Sequence, residues 1–258
     1  MFESDPEFPS DPDEGAAVDE VVVDDAVRLA MSCDRPVDSG LLCDLDRIEL
    51  AALTADEAVT YLQQVQRFAA YVAGVEAWAR DAVTAKVVTE IQEKIAEDAD
   101  PERPARPQFV CAEQVAWSEV TAALRLSPVT GEARILEAQE LTTTWRPMLD
   151  GMLAGTLTVE HVRAIGRQLR NLPGFGSADP TEQAEYAKHC DEVLAKVVPF
   201  AATHTPGESG RKTRVLVTAI DPAGARKRRR KAAEQDHGVF LNPVEPGTSE
   251  IRAVMPTA

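Results

Sequence analysis

The chain has 258 residues, of which 44% are hydrophobic, so it is long enough to bury a core in one large or two small domains. No apolar run approaches the ~20 residues that cross a bilayer, and the acidic, proline-bearing N-terminus is unlike a secretory signal, which favours a cytoplasmic protein without a membrane partner. The net charge of -16 is uneven, since residues 1–60 hold 17 acidic and 3 basic side chains and residues 61–258 hold 26 and 24. Most of the chain is therefore free to meet a polyanion.

The four cysteines, Cys33, Cys43, Cys111 and Cys190, lie far apart and show no CxxC spacing. This pattern favours isolated reduced thiols over a metal site. The sequence also has no phosphate-binding glycine loop and no HExxH pattern. We therefore expect neither a metal nor a cofactor.

The first twenty residues combine proline, aspartate and glutamate with few apolar side chains. Such a segment buries too little surface to offset its chain entropy, and we predict an acidic, disordered segment over residues 1–40. A functional alternative is a DNA mimic that occupies a basic surface until it is displaced.

A long helix is predicted to begin at Thr54, because Thr54 and Glu57 have the spacing of a capping box. Apolar residues then recur every three or four positions towards Ile95, and we expect them to form the inner face: Leu62, Val65, Ala69, Val72, Val75, Ala79 and Ala82. Three prolines in residues 97–107 end the pattern. A helix of about 40 residues predicts a spine for the later helices, and a pairing surface for a second copy is the alternative.

Residues 113–139 predict two short helices joined by a tight turn, as in a helix-turn-helix. Ser127 is placed to cap the second helix, and Pro128 takes the first-turn position that proline tolerates. The apolar side chains expected between the two helices are Val120, Leu124, Leu126, Ala133 and Leu136.

Arg134 in the second of these helices is a candidate nucleic-acid contact. The side chains expected on the exposed face of that helix, however, include one arginine and three glutamates, and glutamates repel phosphate. Arg125 also occupies the turn position where glycine is common, and a left-handed conformation there costs about 1 kcal/mol. A helical corner that only packs the domain is therefore the alternative to DNA recognition.

A further helix is predicted after Thr158, with Val162, Ile165, Leu169 and Leu172 on its inner face. Arg163, Arg167 and Arg170 recur at four and three residues on a solvent-facing side. Three cations in this arrangement can follow a phosphate backbone. Pairing with carboxylates of the long helix, or plain solvation, remains open.

The C-terminal part begins with a helix over about residues 180–198 that we expect to stop at Pro199, and residues 215–220 fit a strand or a helix. Residues 205–258 hold 10 basic and 6 acidic side chains. Six basic residues are consecutive and are candidate nucleic-acid contacts: Arg226, Lys227, Arg228, Arg229, Arg230 and Lys231. No aromatic residues are interleaved for base stacking, and a solvated helix face is the alternative. Two short strands near residues 238–241 and 251–254 predict a β-hairpin.

Four phrases together resemble the actinobacterial family called domain of unknown function 222, also known as the 13E12 repeat family. They span residues 48–62, 120–141, 152–173 and 226–241, in matching order and spacing. The resemblance implies a helical region that precedes an HNH nuclease domain and places or regulates that nuclease on DNA.

An HNH site needs a histidine that activates water and further His, Asn or Asp groups that hold a metal. The chain has only four histidines, His161, His189, His204 and His237, and none lies in such a cluster. We therefore assign no catalytic residue and no metal ligand to this chain. We expect the nuclease either to lie beyond residue 258 in a longer parent, which would then be the endonuclease, or to be lost.

These observations predict a mainly α protein: a multi-helix domain with a long spine helix, a helix-turn-helix-like corner and a short C-terminal β-hairpin. The predicted division is 1–40 acidic and disordered, 41–204 helical, and 205–258 a basic helix and hairpin that begin a linker to a missing domain. The predicted function is a non-catalytic DNA-associated domain. Its expected partners are double-stranded DNA and an HNH nuclease domain, in the same chain or separate. The alternative is an interaction or homodimerisation scaffold with no nucleic-acid role.

Overall fold

The computed structural model describes residues 24–97, 111–235, 238–245 and 248–254. Within these ranges the fold is helical apart from one two-stranded sheet, which confirms the predicted fold class. The helices are α1 (Asp25–Cys33), α2 (Ser39–Asp46), α3 (Ala55–Glu97), α4 (Ala112–Ala123), α5 (Pro128–Thr142), α6 (Arg146–Leu153), α7 (Val159–Leu169), α8 (Pro180–Ala201), α9 (Pro206–Ile220) and α10 (Pro222–Gln235), and the strands are β1 (Gly238–Glu245) and β2 (Thr248–Val254).

Helices α1 and α2 form a small apolar cluster against the first turns of α3. Leu29, Leu41 and Leu45 are buried there, with Tyr61 and Phe68 of α3 packed against them. Both helices have an aspartate N-cap, which satisfies backbone N–H groups that a helix start leaves free. The expectation of disorder therefore fails for residues 25–40, because a few leucines at helical spacing find a partner in α3. Residues 1–23 lie outside the described ranges.

Helix α3 starts at the predicted capping box, in which the Glu57 carboxylate accepts hydrogen bonds from the Thr54 backbone N–H and hydroxyl, each at 2.7 Å. The helix is continuous to Glu97. Its predicted inner face is wrong, because Leu62, Val65 and Val72 are exposed. The face turned to the domain consists of small and polar residues: Gln64, Ala70, Gly74, Ala77 and Thr84.

The corner formed by α4 and α5 has the predicted two-helix form. The Ser127 hydroxyl accepts a hydrogen bond from the Thr130 backbone N–H at 3.2 Å, and Pro128 is the first residue of α5. Arg125 in the turn has a φ of 54°, the left-handed conformation expected there.

The contacts within this corner agree with those predicted only in part: Val120 is buried, but three of the other residues are exposed. Leu124 is 44% exposed and Leu136 is 40% exposed, and Ala133 is also exposed. The helices instead meet through Gly131, whose missing Cβ would lie 2.1 Å from Thr121 Oγ1. Because glycine allows this close approach, the buried face of α5 shifts to Gly131, Ile135, Ala138 and Leu141.

The main core surrounds Trp145, which is fully buried and donates a hydrogen bond from Nε1 to the Tyr186 hydroxyl at 3.1 Å. The predicted inner face of α7 is confirmed, with Val162, Ile165, Leu169 and Leu172 all in this core. Helix α8 does not stop at Pro199 but continues to Ala201. Its buried face continues through the proline to Ala201, so packing offsets the lost hydrogen bond.

Helix α9 settles the ambiguity of residues 215–220, which are helical. A capping box of Thr205 and Glu208 begins the helix, and Val217 is buried in the main core. Helix α9 packs against α7 and α8, so there is no break in helix packing at the predicted boundary between residues 204 and 205. The antiparallel hairpin pairs Gly238 with Val254, in agreement with the predicted strands. No helix in the described part of the chain is both long and apolar enough to cross a membrane.

Candidate nucleic-acid interface

The basic run 226–231 lies in α10, where it is helical throughout. Successive residues of a helix point about 100° apart, so six consecutive cations cannot all face one surface. The structure directs Arg228 and Arg229 into a cleft towards α9. The side chains of Arg226, Lys227, Arg230 and Lys231 are exposed and do not line that cleft.

The cleft has a volume of about 640 Å³ and lies between the end of α7, one side of α9 and α10. Three arginines line it, Arg214 from α9 and Arg228 and Arg229 from α10. Gln168 and Asn171 contribute amide groups from the opposite side, and Thr218 contributes a hydroxyl. Among the described residues, the lining combines guanidinium groups with neutral hydrogen-bonding side chains and has no carboxylate, as suits the binding of an anion.

One carboxylate lies next to the cleft. Asp221 Oδ2 is 3.4 Å from Arg228 Nη1, while Asp221 Oδ1 accepts a hydrogen bond from the Gly224 backbone N–H at 2.8 Å. Asp221 therefore serves first as a cap for α10 and holds Arg228 only through a long contact. Three guanidinium groups line the cleft and Asp221 contacts only that of Arg228, so the described lining keeps a positive excess.

The α7 stripe does not form one uniform surface, although Arg163, Arg167 and Arg170 are all exposed. The Arg170 guanidinium lies 5.2 Å from the centre of the Trp145 ring, at cation–π distance. Burial raises the pKa of the nearby Glu140 carboxyl, and the charge of Arg170 partly opposes that rise. Arg170 is thus engaged by the domain itself and is less available to a phosphate.

Arg134 and Arg163 meet in a second, smaller cavity of about 200 Å³ between α3, α5 and α7. Arg80 lines the same cavity and forms an ion pair with Glu76. Glu76 and Glu137 are also part of the lining. Mixed charge makes this cavity a weaker candidate for a polyanion than the arginine cleft. The cavity includes Arg134, the one cation of α5.

Sequence reasoning missed Arg214, which the structure places in the arginine cleft. The available signal was the capping box of Thr205 and Glu208, which predicts a helix from residue 206. A helix there sets Arg214 and Thr218 on one face, four residues apart. Treating residues 215–220 as a possible strand concealed that arrangement.

The histidine nearest to a catalytic pattern, His161, has a structural role. Its Nδ1 accepts a hydrogen bond from the Thr158 backbone N–H at 3.3 Å, so the proton lies on Nε2, which donates to the His204 carbonyl oxygen at 2.8 Å. Cys190 is buried, and burial raises the pKa of its thiol to about 12, which opposes a nucleophilic role. Among the described residues, no group of three or more His, Cys, Asp or Glu side chains is placed to hold a metal ion.

The structure is thus an α-helical domain with an arginine-lined cleft, and comparison with known proteins adds a family. The profile of the family described as "Domain of unknown function (DUF222)" matches residues 69–258, and the chain therefore belongs to that family. No curated protein and no solved structure matches the chain.

Proposed function

We propose that this domain binds double-stranded DNA through the arginine cleft without catalysing a reaction. The supporting observation is the convergence of Arg214, Arg228 and Arg229 on one cleft with a positive excess. Arginine forms forked hydrogen bonds to phosphate oxygens, and Gln168 and Asn171 add neutral donors. The cleft is too small for a duplex and takes a segment of one phosphate backbone, while exposed Arg167 and the outer cations of α10 extend the contact.

The test is binding to duplex DNA over a series of salt concentrations. Affinity falls as salt rises, because each neutralised phosphate releases counterions and adds about 0.9 to the slope of log affinity against log salt. The variant Arg214→Gln/Arg228→Gln/Arg229→Gln is expected to lower the slope by about 3 and the low-salt affinity by more than tenfold.

A matched control removes the same charge from the other sides of α10, in Arg226→Gln/Lys227→Gln/Lys231→Gln. We expect a smaller loss of affinity, since these residues do not line the cleft. Equal losses in the two variants would reject the cleft as the binding site. Absence of binding at low salt, or affinity independent of salt, would reject the DNA role itself.

The second part of the proposal is that the domain positions or regulates an HNH nuclease, located in a longer parent chain or in a separate protein. It is supported by the family resemblance together with a binding surface that needs no catalytic group of its own. The test joins the domain to an HNH nuclease domain and measures plasmid cleavage. The cleft variant is expected to abolish any stimulation and the α10 control to retain it, and unchanged cleavage rates in all three proteins would contradict the positioning role.

A further inference from the structure

Helix α3 exposes an apolar ridge on the side away from the domain. Leu62 is 57% exposed, Val72 is 47% exposed and Val75 is 38% exposed. Val65 and Ala69 lie between them at the same helical spacing and are also exposed. We call this set the α3 ridge: Leu62, Val65, Ala69, Val72 and Val75.

The α3 ridge carries no charge along its length. Between Ala58 and Val75, about five helical turns, the only charged residue is Arg67. Its guanidinium is turned towards the α1–α2 connection, where Nη1 donates to the Cys33 carbonyl oxygen at 2.9 Å and Nη2 to that of Arg35 at 3.1 Å. In a chain of net charge -16, an exposed helix face of this length without a charge is characteristic of a covered surface.

Further along the same helix the ridge gives way to an apolar groove. Ala79, Val83 and Val87 of α3 form one wall, and Val120 and Ala123 of α4 with the following Leu124 form the other. The cavity between them is about 380 Å³, and its lining also includes the charged residues Glu76, Arg80 and Glu119. Leu124, predicted to pack inside the corner, is 44% exposed at the edge of this groove. The wall residues of α3 repeat every four positions and lie on the same helix face as Val65 and Val72.

We propose that the α3 ridge of one copy of this chain fits into the α3–α4 groove of a second copy, and reciprocally, in an antiparallel homodimer. A ridge and a groove that follow each other along one helix face are both covered by a single two-fold rotation. A rotation axis that crosses the exposed side of α3 at the level of Val75 places Leu62 of one copy opposite Val87 of the other. Glu76, close to that axis, is paired with Arg80 of its own chain, so the two copies present no uncompensated like charges there.

The proposal goes beyond DNA binding, and the arginine cleft takes no part in it. The first test is light scattering or sedimentation across a range of protein concentrations. The wild type is expected to be a dimer, and Val65→Asp/Val72→Asp is expected to raise the dimer dissociation constant at least about 100-fold, since carboxylates would be buried without partners. The control Val129→Asp changes a valine that is 78% exposed on α5, outside ridge and groove, and is expected to leave the dimer intact.

A mixing experiment separates this geometry from any other apolar association. The ridge variant Val65→Asp/Val72→Asp and the groove variant Leu124→Lys are each expected to be monomeric with an unchanged helical circular dichroism spectrum. Their mixture is expected to dimerise, because a heterodimer keeps one intact ridge–groove pair and faces aspartate with lysine at the other. A monomeric wild type, dissociation by Val129→Asp, or a mixture that stays monomeric would each overturn the proposal.

Discussion

Helices α7 and α3 were both predicted from apolar residues at helical spacing, but the structure buries these residues in α7 and leaves them exposed in α3. In α7 the apolar residues Val162, Ile165 and Leu169 enter the core. In α3 the residues at the same spacing remain outside, and Ala70, Gly74 and Ala77 face the domain. Helical periodicity thus identifies a helix and its apolar face, but it does not show whether the domain itself buries that face.

Small residues explain the arrangement of α3. A Cβ on Gly74 would lie 3.1 Å from the Met152 Cβ and 3.2 Å from Leu153 Cδ2, so a side chain there would require α6 to shift by a few tenths of an ångström. Close backbone approach provides dispersion contacts without large apolar side chains. The large apolar residues of the α3 ridge lie on the opposite, exposed side of the helix.

The largest expected effect is on the buried face of α7. Ile165→Asp places a carboxylate in a fully buried position and is expected to cost about 4 kcal/mol or more of the free energy of unfolding, enough to abolish a marginally stable fold. Denaturant unfolding followed by circular dichroism measures this loss in the free energy of unfolding. Arg167→Ala, at an exposed position on the same helix, is expected to change the free energy by less than about 0.5 kcal/mol. A well-folded Ile165→Asp protein would contradict the α7 assignment.

A second, intermediate effect is expected on the inner face of α3. Gly74→Val introduces side-chain atoms against Met152 and Leu153 and is expected to destabilise the domain by about 2 kcal/mol, despite the better helix propensity of valine. Its neighbour Val75 on the α3 ridge provides the comparison. If Val75→Ala lowers the stability of the monomer as much as Gly74→Val does, the two faces of α3 have been assigned the wrong way round.

A smaller, pH-dependent effect is expected where α5 meets the end of α7. Burial raises the pKa of Glu140 above its ordinary value of 4.5, so the folded state holds this proton more tightly than the unfolded state does. The associated stability is complete below pH 4.5 and is lost as pH rises through the folded-state pKa.

Glu140→Gln does not titrate, so we expect its melting temperature to exceed that of the wild type by roughly 2 °C near neutral pH and the gap to close in acid. Thermal melts at several pH values measure the difference. A Glu140→Gln melting temperature below that of the wild type near neutral pH would show instead that pairing with Arg170 outweighs burial.

The smallest expected effect is on the α3 ridge. At protein concentrations low enough for the monomer, Val72→Asp is expected to change the free energy of unfolding by less than about 0.5 kcal/mol, because Val72 is 47% exposed and belongs to neither of the described apolar clusters. At higher concentrations the melting temperature of the wild type should rise with concentration and that of Val72→Asp should not. Differential scanning calorimetry at two concentrations tests this, and a large loss for the monomer would place Val72 in the intrachain core.

The candidate site shows a similar division between local and tertiary information. The basic run 226–231 is evident in the sequence. Which of its residues line the cleft depends on how α10 is rotated about its axis relative to α9, and the structure places Arg228 and Arg229 there. Arg214 was not identified, because it is fifteen residues from Arg229 along the chain and joins the site only through the packing of two helices. The α7 stripe was predicted as a unit, yet Arg163 and Arg170 find different neighbours.

The sequence by itself determined the features that depend on a few neighbouring residues. These include the capping box at Thr54, the start of α5 at Ser127, the left-handed turn at Arg125, the inner face of α7 and the pairing of the hairpin strands. Each follows from backbone donors and acceptors or side-chain periodicity within one element. The tertiary structure alone decided which side of α3 meets the domain, how close Gly131 and Gly74 bring their helices, and which arginines share a cleft. The physical reason is that these outcomes depend on the distance and relative rotation of elements that are far apart in the chain, and a one-dimensional pattern holds neither quantity.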